Sequence, residues 1–236
     1  IQYFLHLCFF ISYFLTPSNI IEPKNNSDGS SSPYEMNINY LEALSSPDLD
    51  IKKRCDVLLS AVNILNSIIG VPAIYIHTIL GSLNDYKGLE RTGRNRSINR
   101  EKLDYDVVSK ELENEKNLRN MVFYGIRKQI EVRTSEELFH PTNNQKVVKI
   151  DNRIFSIIRS NENEEILVIN NISNDTIELE YLKILELFKN KKNTLITTIW
   201  TIGIPKFAYK CSSAFPVKYA NKGIDFWYKN SHNNKQ

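Results

Sequence analysis

Cysteine is scarce and unpaired in this chain. Its 236 residues hold three, Cys8, Cys55 and Cys211, far apart and never in a C-x-x-C spacing. That removes a disulfide framework and a zinc site and makes a reducing, cytoplasmic setting the expectation. A dominant charge is missing too. The 30 Lys and Arg stand against 27 Asp and Glu, for a net charge of +3. Without a concentrated basic stripe, a nucleic-acid partner is not expected. No apolar run is long enough for a membrane span. Residues Ile1–Leu15 are nearly all apolar and aromatic, but a crossing helix needs about 20 such residues. The run has no basic n-region, and Pro17-Ser18-Asn19 is no small-x-small cleavage site, so the reading goes against a signal peptide. The chain opens on Ile rather than Met, as a piece of a longer protein would. No internal repeat is visible.

What is present is ordinary globular material, 42% hydrophobic and 24% charged, enough for one large or two small domains. Segment 22–33 (EPKNNSDGSSSP) reads as a polar loop. Ile51, Cys55, Leu58, Val62, Leu65 and Ile69 step by three or four, which predicts a helix starting near Ser46-Pro47-Asp48 and stopping at Gly70. Val71–Ile76 follows as an apolar run of strand length, so the pair reads as an α-to-β unit of a parallel sheet. The next stretch, 81–104, is long and polar and carries four cations, Arg91, Arg94, Arg96 and Arg100. Loops of such length in compact domains are usually functional, and guanidinium forks suit phosphate, carboxylate or vicinal hydroxyls. The bland alternative is that these arginines brace the loop.

Leu118, Val122, Ile126 and Ile130 line a second helix, ending before His140-Pro141. Past Pro141 the period changes. Lys146–Ile150, Arg153–Arg159, Glu165–Asn170 and Thr176–Leu179 read as strands of a small antiparallel module, with turns at Asp151-Asn152, Asn161–Glu164 and Asn171–Asp175. Residues 189–236 show no sustained period, although Leu195–Ile202 has strand character. His77, alone at the end of its apolar run, reads as a satisfied structural residue. Asn84-Asp85 reads as a cap.

Four motifs, SPYEMNINYLEAL, GVPAIYIHTILGS, NDY and TGRNRSINREKL, occur in an order and spacing that resemble the C-terminal part of sucrose phosphorylase-type enzymes. These belong to the α-amylase clan of retaining glycoside hydrolases and transglucosidases. The resemblance covers about residues 25–180. It implies an α/β fold, the C-terminal fragment of a (β/α)8 TIM barrel followed by a small antiparallel β-domain. On that mapping residues 1–24 are a non-matching apolar segment and 25–140 the last barrel units. Residues 141–188 are then the β-domain, and 189–236 an unassigned tail. Ile51–Ile69 would be the seventh barrel helix, Val71–Ile76 the eighth strand and Leu118–Arg133 the eighth helix.

The family's reaction is a double displacement. A carboxylate forms a glucosyl-enzyme, a carboxylic acid protonates the leaving oxygen, and phosphate intercepts the intermediate. The resemblance places nucleophile, acid and a sugar-clamping carboxylate upstream of the match, so no catalytic residue is expected here. The family's His-Asp pair before the SPYEMNINY-like loop has no counterpart at Phe14-Leu15-Thr16-Pro17. What carries over is substrate contact. Tyr34 and Glu35 match a mobile-loop pair on the acceptor and phosphate side, and Arg96 matches the arginine of a G-R-D-I-N-R-like motif. Glu35 departs from the glutamine usual in sucrose phosphorylases, which points toward the branch acting on glucosylglycerate or similar glucosides. Asn95 and Ser97 also depart from the motif. The expected partners are an α-glucoside and inorganic phosphate as co-substrate, with no metal, no other cofactor and no membrane. The competing reading is a non-catalytic carbohydrate-binding or interaction protein.

Overall fold

The computed structural model describes residues 21–173, positions 175, 177, 179, 184, 186 and 187, and residues 192–198. The apolar N-terminal run and the tail beyond 198 lie outside them. The chain divides into two compact units. The first takes its described residues up to Leu58 together with Ile74–Ile126, and the second takes Leu59–Ala73 and the residues from Arg127 onward.

The first unit opens with a hairpin, β1 (Ile21–Asn25) antiparallel to β2 (Ser31–Met36), with a register shift between Glu22 and Pro23. This corrects the expected polar loop over 22–33. The turn residues were legible, but neither strand alternates apolar and polar, so only the pairing reveals them. Asn26 N–H donates to Ser30 O at 2.9 Å, and the Asp28 carboxylate accepts from Ser30 N–H at 2.9 Å and Ser30 O–H at 2.6 Å. Gly29, at φ +79°, takes the left-handed conformation the turn requires.

Helix α1 (Tyr40–Leu44) follows, then α2 (Ile51–Ser67). The predicted helix is present, shorter by two residues at its end. Asp50 starts it, accepting from Lys53 N–H at 2.9 Å. Cys55, Leu58 and Val62 are buried as the period requires, whereas Ile51 and Ile69 are exposed.

The expected strand over Val71–Ile76 is absent. Residues 71–75 are irregular, and Ile76 begins α3 (Ile76–Ile79). A strand exists only through a ladder with a neighbour, and among the described residues no segment pairs with this one. The long polar loop is likewise not structureless. It contains α4 (Tyr86–Thr92), closed by Gly93 at φ +64°, and a 3-10 turn at Asn95–Ser97. Next come α5 (Tyr105–Glu113), which the apolar spacing did not announce, and α6 (Leu118–Ser135), which it did. Val122 and Ile126 are fully buried, and Ile130 is partly exposed.

In the second unit a 3-10 turn at Glu137–Phe139 leads to a four-stranded sheet of order β3-β4-β5-β6, with β3 at Asn144–Val147, β4 at Ile154–Ser160, β5 at Glu164–Asn171 and β6 at Lys192–Thr198. The first three are antiparallel, as expected, but β6 runs parallel to β5, so the sheet is mixed. At 177 and 179, inside the expected fourth strand, there is no strand, and Ile177 is instead a core residue. Alternate residues of β4 and β5 feed two cores. Ile154, Ile158, Leu167 and Ile169 pack with Val148, Ile177 and Ile184 on one face. Ile157, Ile166 and Val168 pack with Leu138 and Phe139 on the other. Burial on both faces explains why these strands read as nearly unbroken apolar runs.

Candidate functional site

The expected contact residues lie in the first unit, and the chain path brings two of them together across 61 positions. Glu35 sits near the end of β2 and Arg96 in the middle of the 3-10 turn. Both Arg96 Nε, at 3.0 Å, and Arg96 Nη2, at 2.6 Å, donate to one carboxylate oxygen, Glu35 Oε2. Two donors on a single ionised acceptor form a strong, oriented contact. The Arg96 side chain remains half exposed, at 50%, so this guanidinium meets both the carboxylate and solvent. Tyr34, the residue before Glu35 on β2, is 65% exposed. An anionic ligand reaching Arg96 therefore competes with Glu35 for the fork.

Several side chains hold these two segments. Asn39 is the hub. Its backbone N–H donates to Asn84 Oδ1 at 2.8 Å, and its Nδ2 donates to Leu83 O at 2.6 Å and Ile98 O at 3.3 Å. Asn84 and Asp85 are structural, as expected. Asp85 starts α4, accepting from Gly88 N–H at 2.7 Å, and its own N–H donates to Ile98 O at 2.8 Å. Arg91, Arg94 and Arg100 are exposed and do not converge on the Glu35–Arg96 pair.

His77 is buried, with Nδ1 3.0 Å from Ser82 Oγ. Arg119, from α6, donates to Ser82 Oγ at 3.2 Å, Leu80 O at 3.0 Å and Glu111 Oε2 at 2.6 Å. Burial pushes the His77 pKa below the ordinary histidine value. The Arg119 charge adds to that, and Glu101 opposes it. The imidazole is a neutral brace of the turn after α3, which is the structural role expected of it. Cys55 is no nucleophile. Burial first, then the Asp56 charge, push its thiol up to about 12, so it stays protonated. Among the described residues no cluster of His, Cys, Asp and Glu could hold a metal ion, and no helix is long and apolar enough to cross a membrane.

Two residues escaped the sequence reading. Asn37, two positions beyond Glu35, is fully buried, and neither its Oδ1 nor its Nδ2 has a hydrogen-bond partner. Asn99, three positions beyond Arg96, has a buried and unpartnered Oδ1. Buried amides normally find partners. In an Asn-rich chain nothing in the sequence distinguishes these two from the rest.

No protein-family profile matches the chain. Among curated proteins it is 44% identical over 142 residues to the glucosylglycerate phosphorylase of Escherichia coli, covering 60% of this chain and 25% of that protein. It is 36% identical over 180 residues to the glucosylglycerate phosphorylase of Spirochaeta thermophila, covering 75% of this chain and 30% of that one. A third relative of the same name, from Allomeiothermus silvanus, is 29% identical over 130 residues. The chain thus spans between a quarter and a third of the length of the first two relatives. Among solved structures it resembles sucrose 6F-phosphate phosphorylase from Thermoanaerobacter thermosaccharolyticum, with a TM-score of 0.53 over 71% of this chain and 31% of that one, at 16% identity. That likeness speaks for the fold alone. The sequence motifs and the curated relatives agree that this chain is similar to part of the glucosylglycerate phosphorylases, and its fold is like that of part of a sucrose 6F-phosphate phosphorylase.

Proposed function

We propose that this chain supplies one wall of the active site of a retaining α-glucosyl-transferring phosphorylase. That enzyme would cleave glucosylglycerate or a related α-glucoside with phosphate to give glucose 1-phosphate. The observation that carries this reading is the 44% identity over 142 residues to a glucosylglycerate phosphorylase. In this reading residues 25–140 are the last units of a (β/α)8 barrel, and 71–76 is the segment that becomes its eighth strand between neighbours. Residues 141–188 are then a terminal β-domain. Tyr34, Glu35 and Arg96 face the acceptor and phosphate side. Phosphate would draw Arg96 away from Glu35, because a dianion offers the fork more charge than one carboxylate. Glu35 would then be left to accept hydrogen bonds from the hydroxyls of the acceptor.

In this reading the nucleophile and acid of the double displacement lie on strands outside this chain, and without them no covalent intermediate forms. The 236-residue chain alone is therefore expected to be inactive. The test is an exchange. The matching segment of the E. coli relative is replaced by that of this chain, and phosphate-dependent glucose 1-phosphate release is measured from glucosylglycerate and from sucrose. Release from glucosylglycerate by the hybrid, lost on Arg96→Ala, supports the reading. Turnover by the purified chain alone, or a hybrid that prefers sucrose, overturns it.

A further inference from the structure

We propose that Asn39 is a positioning residue, fixing the Glu35-bearing strand against the Arg96-bearing turn. The inference rests on the reading of Glu35 and Arg96 as the ligand-facing pair. Asn39 occupies the residue before α1 with extended backbone, φ −71° and ψ 140°, where an Asn side chain normally accepts from the first turn of the helix. Its side chain makes no such bond. Only its carbonyl serves the helix, accepting from Glu42 and Ala43 N–H at 3.0 Å each. The carboxamide is turned the other way, with one Nδ2 donating to two carbonyls, Leu83 O and Ile98 O. A buried primary amide has two such hydrogens, and both are used. Pairing with two acceptors also fixes which way round the amide sits, since its oxygen would face those carbonyls without a proton.

The chain spacing makes this bond a lever on the site. Asn39 is four residues past Glu35, and Ile98 is two past Arg96. The two segments are therefore pinned at both ends, by Glu35 on Arg96 and by Asn39 on Ile98. The residue between, Asn37, contributes no hydrogen bond from its side chain. Asn39 is 3% exposed and its bond to Ile98 O is buried, whereas the Arg96 side chain is half exposed. The durable end of the clamp is the buried one.

The experiment reads Arg96 directly in the full 236-residue chain with no glucoside or phosphate present. Failure of this inference is thus separate from failure of the proposed function. The Nε–H resonance of Arg96 is identified by its loss in Arg96→Lys, and its exchange with water is measured. Glu35→Ala sets the value for a guanidinium that has lost the Glu35 carboxylate. Asn39→Asp keeps an oxygen able to cap α1 but cannot donate to Leu83 O or Ile98 O; Asn39→Ala loses both abilities. If Asn39 positions the pair, both variants raise Arg96 exchange about tenfold, as loss of one buried and one partly buried hydrogen bond would. If Asn39→Asp leaves the exchange unchanged, or only Asn39→Ala raises it, the role is that of a cap and the inference is overturned. Should Asn39→Asp lose the dispersed amide signals of the first unit, Asn39→Ser is read in its place, with the same two outcomes. It keeps the capping oxygen, and one short hydroxyl cannot serve two carbonyls.

Discussion

Arg159 is the residue on which the second unit depends most. It is completely buried, on β4, and no carboxylate pairs with it among the described residues. A buried cation without a counter-ion is costly unless its hydrogen bonds are all met. Here carbonyls meet them: Asn144 O at 3.2 Å, Ser67 O at 3.2 Å and His140 O at 2.7 Å. Arg133 does the same work beside it, donating to the carbonyls of Asn66 and Gly70. Both guanidinium groups lie about 6 Å from the Phe139 ring, at 5.9 and 6.0 Å. The carbonyls of Asn66 and Ser67 belong to the C-terminal end of α2, where the helix dipole is negative, and that of Gly70 lies in the bend just beyond it. Two arginines therefore satisfy the last carbonyls of α2 and hold the bend that follows it. Burial pushes the Arg159 pKa down, and the Arg133 charge pushes it further. Arg159→Met keeps the bulk but orphans the carbonyls, so the second unit should lose about 3 kcal/mol or more. Urea unfolding followed through the β4 and β5 amides checks this. A loss under about 0.5 kcal/mol, the size of an ordinary surface change, would mean that water serves those carbonyls equally well.

Elements were legible where one face is buried over several turns or along a whole strand. The three-four spacing announced α2 and α6, and the apolar runs announced β4 and β5, because each must bury what it shows. The hairpin β1–β2 and the short helices α4 and α5 escaped, since local hydrogen bonds rather than an apolar stripe hold them. Glu35 and Arg96 were nameable from motifs, but their pairing was not, because it depends on how a hairpin folds against a turn 61 positions away. In α4 the local chemistry leads to a prediction with a definite sign. Asp85 Oδ1 caps the helix through Gly88 N–H, and a Cβ on Gly88 would collide with that carboxylate. Propensity alone says that Gly88→Ala should stabilise a helix by about 1 kcal/mol. Loss of the cap costs about the same. Gly88→Ala should therefore be near neutral in this chain, yet stabilising by about 1 kcal/mol in the Asp85→Ala background. Amide exchange over Tyr86–Thr92 in the four-member cycle measures the difference, and additive behaviour would show that the collision is relieved without cost to the cap.

At the scale of the whole molecule the informative failure is the strand that does not form. An apolar run at 71–76 was legible and was read as buried, yet Val71 is 83% exposed, and Tyr75 and Ile76 are about half exposed, at 53% and 50%. The described residues contain nothing to pair with this segment. An exposed apolar segment with no strand partner invites pairing with another copy. The purified chain should accordingly self-associate as concentration rises, and its weight-average mass by sedimentation equilibrium should exceed that of the monomer. Val71→Lys places a charge on the segment at a position with almost no intramolecular contact to lose, so it should lower that mass with little change in unfolding midpoint. A charged side chain on an exposed edge works by making a second strand's approach costly. The effect should be specific to position. Val147→Lys, on β3, is a control of equal chemistry at a site 73% exposed and already in a ladder, and it should shift the mass much less. Equal effects from the two substitutions would mean that added charge alone, rather than the unpaired segment, governs association.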